Sequence, residues 1–213
     1  MKSSPLEIKA RAVTTLKTAV VLALVLAASL GLRPGQRNEG GGLDCLITTP
    51  EGEIRLRVCP GRAPVTVANF LRYVEAGLYD NTTFFRVVTQ DNQPDDQVRI
   101  EVIQGGDIDE KKCFPPIAHE TTATTGLRHL DGTVSMARAE PGTATSSFFI
   151  CIHSQPELDF GGRRNPDGQG FAAFGRVVQG MDVVRRIQKL DQEKQLLKKP
   201  VAIISIKKLL EEK

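Results

Sequence analysis

The sequence predicts a mostly β fold, and three observations carry that prediction. Short apolar runs alternate with a period of two, as where Phe148, Ile150 and Ile152 oppose Phe149, Cys151 and His153. Clusters of Gly, Pro, Asn and Asp separate these runs and mark turns. Only two stretches of the folded part carry helical spacing with recognisable start and stop signals. At 213 residues with 40% hydrophobic content, the chain is long enough for one domain with a sizeable core and short for two.

Taken in order, Lys2, Lys9, Arg11 and Lys17 precede an apolar run from Thr18 to Leu32. The run is shorter than the roughly 18–20 residues of a spanning helix, and Ala27-Ala28-Ser29 offers small residues for cleavage. Residues 1–32 therefore read as a signal peptide or an N-terminal membrane anchor, with a buried helix as the third alternative. The basic end stays in the cytoplasm and the domain crosses, so the protein is expected to be exported, periplasmic or secreted, with residues 18–32 as the tether if uncleaved. Residues 33–42, RPGQRNEGGG, are polar and glycine-rich and read as a flexible linker. The folded domain is expected over 43–213.

Within it, Cys45 to Thr49 and Glu53 to Val58 alternate around Pro50-Glu51-Gly52 and predict a hairpin. APVTVANFLRYVEAG predicts a helix, with Pro64 at its start, Val67, Leu71 and Val74 on one face and Gly77 as the stop. Asn81-Thr82-Thr83 matches a glycosylation acceptor but reads better as the turn before the strand Phe84 to Val88. The polar run TQDNQPDDQ and then VRIEVI follow, with VRIEVI as the next strand. Thr133 to Arg138 and Ser147 to His153 predict an antiparallel pair across the loop EPGTATS. Because Phe148 and Phe149 put large rings on both faces, one ring meets a second layer or lines a groove. GGRRNPDGQG reads as a long flexible loop, Gly170 to Val178 as a strand, Met181 to Leu190 as a helix and Pro200 to Leu209 as the last strand. The total is about eight strands and two helices.

Composition limits the chemistry. Residues 1–42 carry six Lys/Arg against two Asp/Glu, so they hold +4 of the net +3 and leave −1 for the remainder. A nearly neutral domain argues against a general nucleic-acid surface. Cys45, Cys59, Cys113 and Cys151 show no CxxC and no histidine at zinc spacing, so neither a metal nor another cofactor is expected. Cys45 with Cys59 is the one disulfide worth considering, since the two flank the first hairpin. His119 and His129 read as surface or turn residues. Ser147, His153 and Asp159 do not make a hydrolase triad, because no nucleophile elbow surrounds the serine.

Four segments in register, FFRVV (84–88), IQGGD (103–107), SMARAEPGTATSSFFI (135–150) and FGRVVQGMDVV (174–184), closely resemble the signatures of the cyclophilin-type peptidyl-prolyl isomerases. The resemblance spans about Leu43 to the C-terminus. It implies a closed eight-stranded antiparallel barrel capped by two α-helices, a monomer, and rotation about X-Pro bonds in proline-containing segments of unfolded or exported proteins. It implies Arg86 as the catalytic guanidinium and Gln104 as its partner or as a contact to substrate backbone. Val102, Phe149, Leu158 and Phe171 are the implied pocket residues, and the backbone of Ala137, Arg138 and Ala139 is implied to pair with bound peptide. Without the family, Arg86 reads as a solvated strand residue, and each apolar pocket member has a plain core alternative.

The departures from the family pattern also carry expectations. Arg86 and Gln104 stand 18 positions apart where about eight is usual, so about ten residues are inserted, expected to lengthen two strands into a hairpin beside the groove. Glu101 stands where an aromatic pocket residue is common, and Ser147 replaces the usual glutamine. Glu157 occupies the position of a tryptophan carried by many cyclosporin-sensitive relatives, which implies weak cyclosporin binding. Ser147, Glu101 and the insertion favour the alternative function, a non-catalytic proline-peptide-binding or chaperone module. Arg86 with Gln104 and Phe149 favours the enzyme.

Overall fold

The computed structural model describes residues 41–94 and 97–210. The expected leader over 1–32, and all but the last two residues of the linker, lie outside the described residues. The described residues form ten strands and three α-helices in the order β1 (Leu43–Thr49), β2 (Gly52–Val58), α1 (Pro64–Glu75), β3 (Thr82–Val88), β4 (Val102–Gly105), α2 (Thr122–Thr125), β5 (Thr133–Met136), β6 (Phe148–Cys151), β7 (Ala172–Gln179), α3 (Met181–Gln188), β8 (Gln192–Glu193), β9 (Leu196–Ile203) and β10 (Ser205–Lys208). All the strands join one antiparallel ladder, β10-β1-β2-β7-β5-β6-β4-β3-β9-β8.

The mostly β class and the first hairpin agree with the sequence, whereas the closed eight-stranded barrel does not. The ladder has two ends, at β10 and β8. Its last segment carries two strands rather than one: β9 pairs with β3 as far as Ile203, the Ile204 N–H donates to the Thr48 carbonyl at 2.8 Å, and β10 then pairs with β1. The covalent chain at Ile204, not a ladder, links these two regions. The two-residue β8, which folds back on β9, was not foreseen, nor was the single-turn α2.

One face of the sheet holds the main core. Phe84, Phe148 and Phe174 are fully buried there, and Phe70 of α1 meets Tyr79, Phe148 and Phe174 at ring separations of 5.3, 5.8 and 5.1 Å. Such offset and edge contacts suit the ring quadrupole and add to area burial. Pro64 at the start of α1 has no N–H to satisfy, and the next two amides find an acceptor far along the chain. Val65 and Thr66 N–H donate to the Glu120 carboxylate at 3.2 and 2.8 Å. Gly105 sits opposite Phe84, where a Cβ would come within 2.8 Å of the ring, so the close approach requires glycine. Among the described residues all four cysteines are free thiols. The Cys45–Cys59 pairing is therefore not present; Cys45 faces the core, where burial pushes its thiol up to about 12.

Candidate active site

The opposite face of the same sheet carries the groove, and strand register builds it. Arg86 on β3 lies directly across from Gln104 on β4, Gln104 from Phe149 on β6, and Phe149 from Ser135 on β5. Residues directly opposed in a ladder share a face, so four strands place one side chain each in a single row. Strict alternation would put Arg86 on the buried side with Phe84. The ladder shifts between them, leaving Phe85 as the extra residue of a bulge: Phe84 opposes Gly105 while Arg86 opposes Gln104. Phe84 and Val87 therefore face the core, and Arg86 and Val88 face outward. Phe148 enters the core, and Phe149 belongs to a second, smaller cluster with Val88, Ile100, Val102, Cys151 and Leu158, against which Ala137 and Phe171 pack.

Arg86 is held by two neutral amides. Its Nη1 donates to Gln104 Oε1 at 2.9 Å, and its Nε and Nη2 both donate to Gln195 Oε1. Gln104 Nε2 donates onward to Ser147 Oγ at 3.0 Å, and Ser147 Oγ donates to the Gly105 carbonyl at 3.1 Å. The hydroxyl that replaces the expected glutamine thus anchors Gln104. Gln195 stands in the turn between β8 and β9 with φ of 73°, its carbonyl accepting from Val87 N–H and its Nε2 donating to the Asn92 carbonyl. Nothing in its sequence neighbourhood marks it, and it falls between the expected helix ending at Leu190 and the expected strand starting at Pro200.

A cavity of about 220 Å³ opens beside Arg86, lined by Ile100, Val102, Gln104, Ala137, Arg138, Phe149, Leu158, Arg164, Asn165 and Phe171. Of the catalytic and substrate-binding residues that the resemblance implies, only Ala139 lies off this wall. Its N–H donates to Thr143 Oγ1 at 3.2 Å and its carbonyl accepts from Arg138, so its backbone is engaged within the loop. The N–H of Ala137 is likewise committed, to the Ser147 carbonyl. Arg138 turns its guanidinium onto Asp167, at 2.8 and 2.9 Å, and onto the Gly170 carbonyl, and lies over the Phe171 ring at 5.3 Å. Glu157 is not part of the wall. It pairs with Arg163, whose hydrogen bonds hold its carboxyl below the usual carboxylate range.

The inserted segment does not lengthen the hairpin, because β3 stops at Val88 and β4 starts at Val102. A 3-10 turn over Gln90–Asn92 is followed by a loop that the buried Gln93 side chain staples. Its Nε2 donates to the Thr89 and Ile100 carbonyls, and its Oε1 accepts from Ile100 N–H. A side-chain amide here replaces backbone pairing and delivers Ile100 to the cavity. The GGRRNPDGQG loop closes the far side, where Arg164 Nη1 donates to the Val98 carbonyl at 2.7 Å.

His129 also corrects its reading as a surface residue, being 1% exposed. Its ring stacks on Phe149 with centroids 6.0 Å apart and planes 16° from parallel. Its Nδ1 donates to Asp159 at 2.8 Å, and its Nε2 meets Ser135 Oγ at 3.0 Å. The relay ties Leu158, beside Asp159, to the strand behind Phe149. Burial alone would raise the Asp159 carboxyl, but the side-chain and backbone bonds from His129 outweigh it and the net displacement is downward. A carboxylate with a depressed folded-state pKa contributes stability that is present above the unfolded value near 3.9 and is lost as pH falls through the folded value. Chemical unfolding at pH 7 and pH 3 should therefore show Asp159→Asn less stable than the parent at pH 7, with the difference shrinking at pH 3. An equal difference at both values refutes the assignment.

The profile of the family described as "Cyclophilin type peptidyl-prolyl cis-trans isomerase/CLD" matches residues 45–208. The chain is 38% identical over 172 residues to peptidyl-prolyl cis-trans isomerase A of Dickeya dadantii, an alignment that covers 76% of this chain and 82% of that protein. It is 37% identical over 145 residues to isomerase B of Escherichia coli, covering 66% and 80% respectively. A cyclophilin type peptidyl-prolyl cis-trans isomerase from Cryptosporidium parvum superposes with a TM-score of 0.66 at 21% identity, covering 81% of this chain and 100% of the other. The same protein in the presence of the dipeptide Ala-Pro superposes at 0.64.

Proposed function

The chain belongs to the cyclophilin-type peptidyl-prolyl cis-trans isomerases, and from that premise we propose that Arg86 is its catalytic group and that it acts on exported proteins. The peptide C–N bond resists rotation by about 18–20 kcal/mol through its partial double-bond character. In the twisted transition state the nitrogen regains a lone pair that neither planar form has. A fixed guanidinium aimed at that lone pair stabilises the twisted state alone, and it does so without a nucleophile or a proton transfer. The observation that carries this reading is the clamping of Arg86 between Gln104 and Gln195 at the edge of an apolar cavity. Preorganised charge needs no reorganisation as the amide twists.

Val102, Phe149, Leu158 and Phe171 hold the proline ring, whose burial is worth roughly 1.5–2 kcal/mol in cis, trans and twisted forms alike. The pocket therefore supplies binding and the guanidinium supplies rate. The apolar run Thr18 to Leu32 behind basic residues supports export, with the domain from about Leu43 acting beyond the membrane, cleaved free or tethered. The full chain should accelerate X-Pro exchange in an NMR assay on a short peptide, and it should fractionate outside the cytoplasm of its own host. Binding without turnover assigns the chain to the non-catalytic alternative, and an unprocessed, soluble cytoplasmic protein overturns the export reading.

A further inference from the structure

The turn between β8 and β9 has two central residues, Lys194 and Gln195, and both carry positive φ, 48° and 73°. Asn and Gly fill that kind of turn without strain, whereas lysine and glutamine bring a Cβ into the left-handed region. Strained positions of this sort persist where the surroundings hold them, and here every polar group of Gln195 is engaged. Its N–H donates to Gln192 Oε1 at 2.8 Å, and its carbonyl accepts from Val87 N–H at 2.8 Å. Its Oε1 accepts from Arg86 Nε at 3.0 Å and from Nη2 at 2.5 Å, and its Nε2 donates to the Asn92 carbonyl at 3.1 Å. A side-chain amide has one accepting end and one donating end. The Asn92 carbonyl can take only the donating end, so it turns the oxygen toward the guanidinium. Asn92 is fixed in turn: its Oδ1 accepts from Thr89 N–H at 2.9 Å, and its Nδ2 donates to the Val87 carbonyl at 3.0 Å. Val87, the neighbour of Arg86, is thus gripped by the hairpin turn through its N–H and by the inserted segment through its carbonyl.

We infer that Gln195 is a positioning residue for the reaction, and that the segment joining β3 to β4 acts on the guanidinium through it, by way of Asn92. The inference rests on the reading of Arg86 as the catalytic group. Gln195 lies off the cavity wall, so its effect on bound peptide passes through Arg86. An oxygen that accepts from Nε and Nη2 together opposes rotation of the guanidinium plane, and a group already in place need not reorganise as the amide twists. Proline binding is left to Val102, Phe149, Leu158 and Phe171. Loss of Gln195 should therefore be felt in kcat and hardly in affinity. The insertion thereby gains a part in the rate, although Asn92 and Gln195 are 103 residues apart.

The test measures kcat by NMR exchange and Kd by shift titration on one X-Pro tetrapeptide with the full chain. The variants are Gln195→Met, Gln195→Gly, Asn92→Ala, the double variant of Gln195→Met with Asn92→Ala, and Arg86→Ala. Gln195→Met keeps the reach of the side chain without its amide, and should lower kcat about tenfold with Kd within about twofold of the parent. Gln195→Gly relaxes the positive φ, so its unfolding midpoint should fall little or not at all while kcat still falls about tenfold. A merely structural role would move stability and rate together. Asn92→Ala should lower kcat about threefold, and the double variant should be no slower than Gln195→Met alone, as for two residues acting in series. If Arg86→Ala is slow while both Gln195 variants match the parent within about twofold, the catalytic reading stands and this inference is overturned. If the Gln195 variants are slow but Asn92→Ala is not, or the double variant shows the product of the two losses, the route through the inserted segment is overturned. If Arg86→Ala turns over like the parent, the catalytic reading fails and the inference falls with it.

Discussion

Replacing Arg86 with alanine should lower kcat/KM on an X-Pro peptide by about 10²–10³, the scale of losing one preorganised transition-state donor. Stability should change little. Arg86 borders an open cavity on the outer face, so its removal opens no void in the main core. It does leave the oxygens of Gln104 and Gln195 without this donor, but water entering the groove can replace it, and the cost should stay near 1 kcal/mol or below. Arg86→Lys should recover only part of the rate, because an ammonium cannot satisfy both amide oxygens in one plane while facing the substrate. Thermal unfolding and exchange kinetics on the same samples check both halves. A rate within about twofold of the parent removes Arg86 from the catalytic role.

Phe149→Ala should damage both folding and binding, and so behave unlike Arg86→Ala. Its ring is 5% exposed, stacks on His129 and meets Phe171 edge-on at 5.3 Å. Truncating a buried phenylalanine removes transfer energy and leaves a cavity, a loss of about 3–5 kcal/mol. Against a typical domain stability of roughly 5–15 kcal/mol, that is a large shift in the denaturation midpoint. Affinity for cis and trans peptide should fall together with turnover, since the ring is proposed to contact proline in every state. Phe149→Leu separates the two effects by refilling much of the volume, so stability should largely return while proline affinity stays reduced. A normal midpoint for the alanine variant would show that Phe149 is not part of the packed cluster.

How far the sequence could be read depended on whether a feature was local. The hairpin around Pro50-Glu51-Gly52, the helix starting at Pro64 and the helix starting at Met181 rest on turn chemistry and short-range periodicity, and all three stand. Phe148 and Phe149 were readable as facing opposite ways, and one faces the core while the other faces the groove. The bulge at Phe85 was not readable, since nothing in Phe84-Phe85-Arg86 announces that alternation breaks there. Pro200 appeared to begin a strand and instead lies within β9. Gln195 gains its meaning only from long-range neighbours, as does His129, whose partner Asp159 is 30 residues away. Gln93 acts by copying backbone hydrogen bonds with a side chain, an arrangement that composition cannot distinguish from a polar loop.

The clamp on Arg86 also orders events in time. Its two amide partners lie 18 and 109 residues along the chain. The nearer one arrives when β3 and β4 pair, an early and entropically cheap closure. The farther one requires the β8–β9 hairpin to dock on β3, a closure across 109 residues that is entropically costlier. A refolding molecule is thus expected to pair β3 with β4 before its guanidinium is held from both sides. Until the second amide docks, the guanidinium proposed to speed rotation is held from one side only, so on that reading this isomerase reaches full competence late in its own folding.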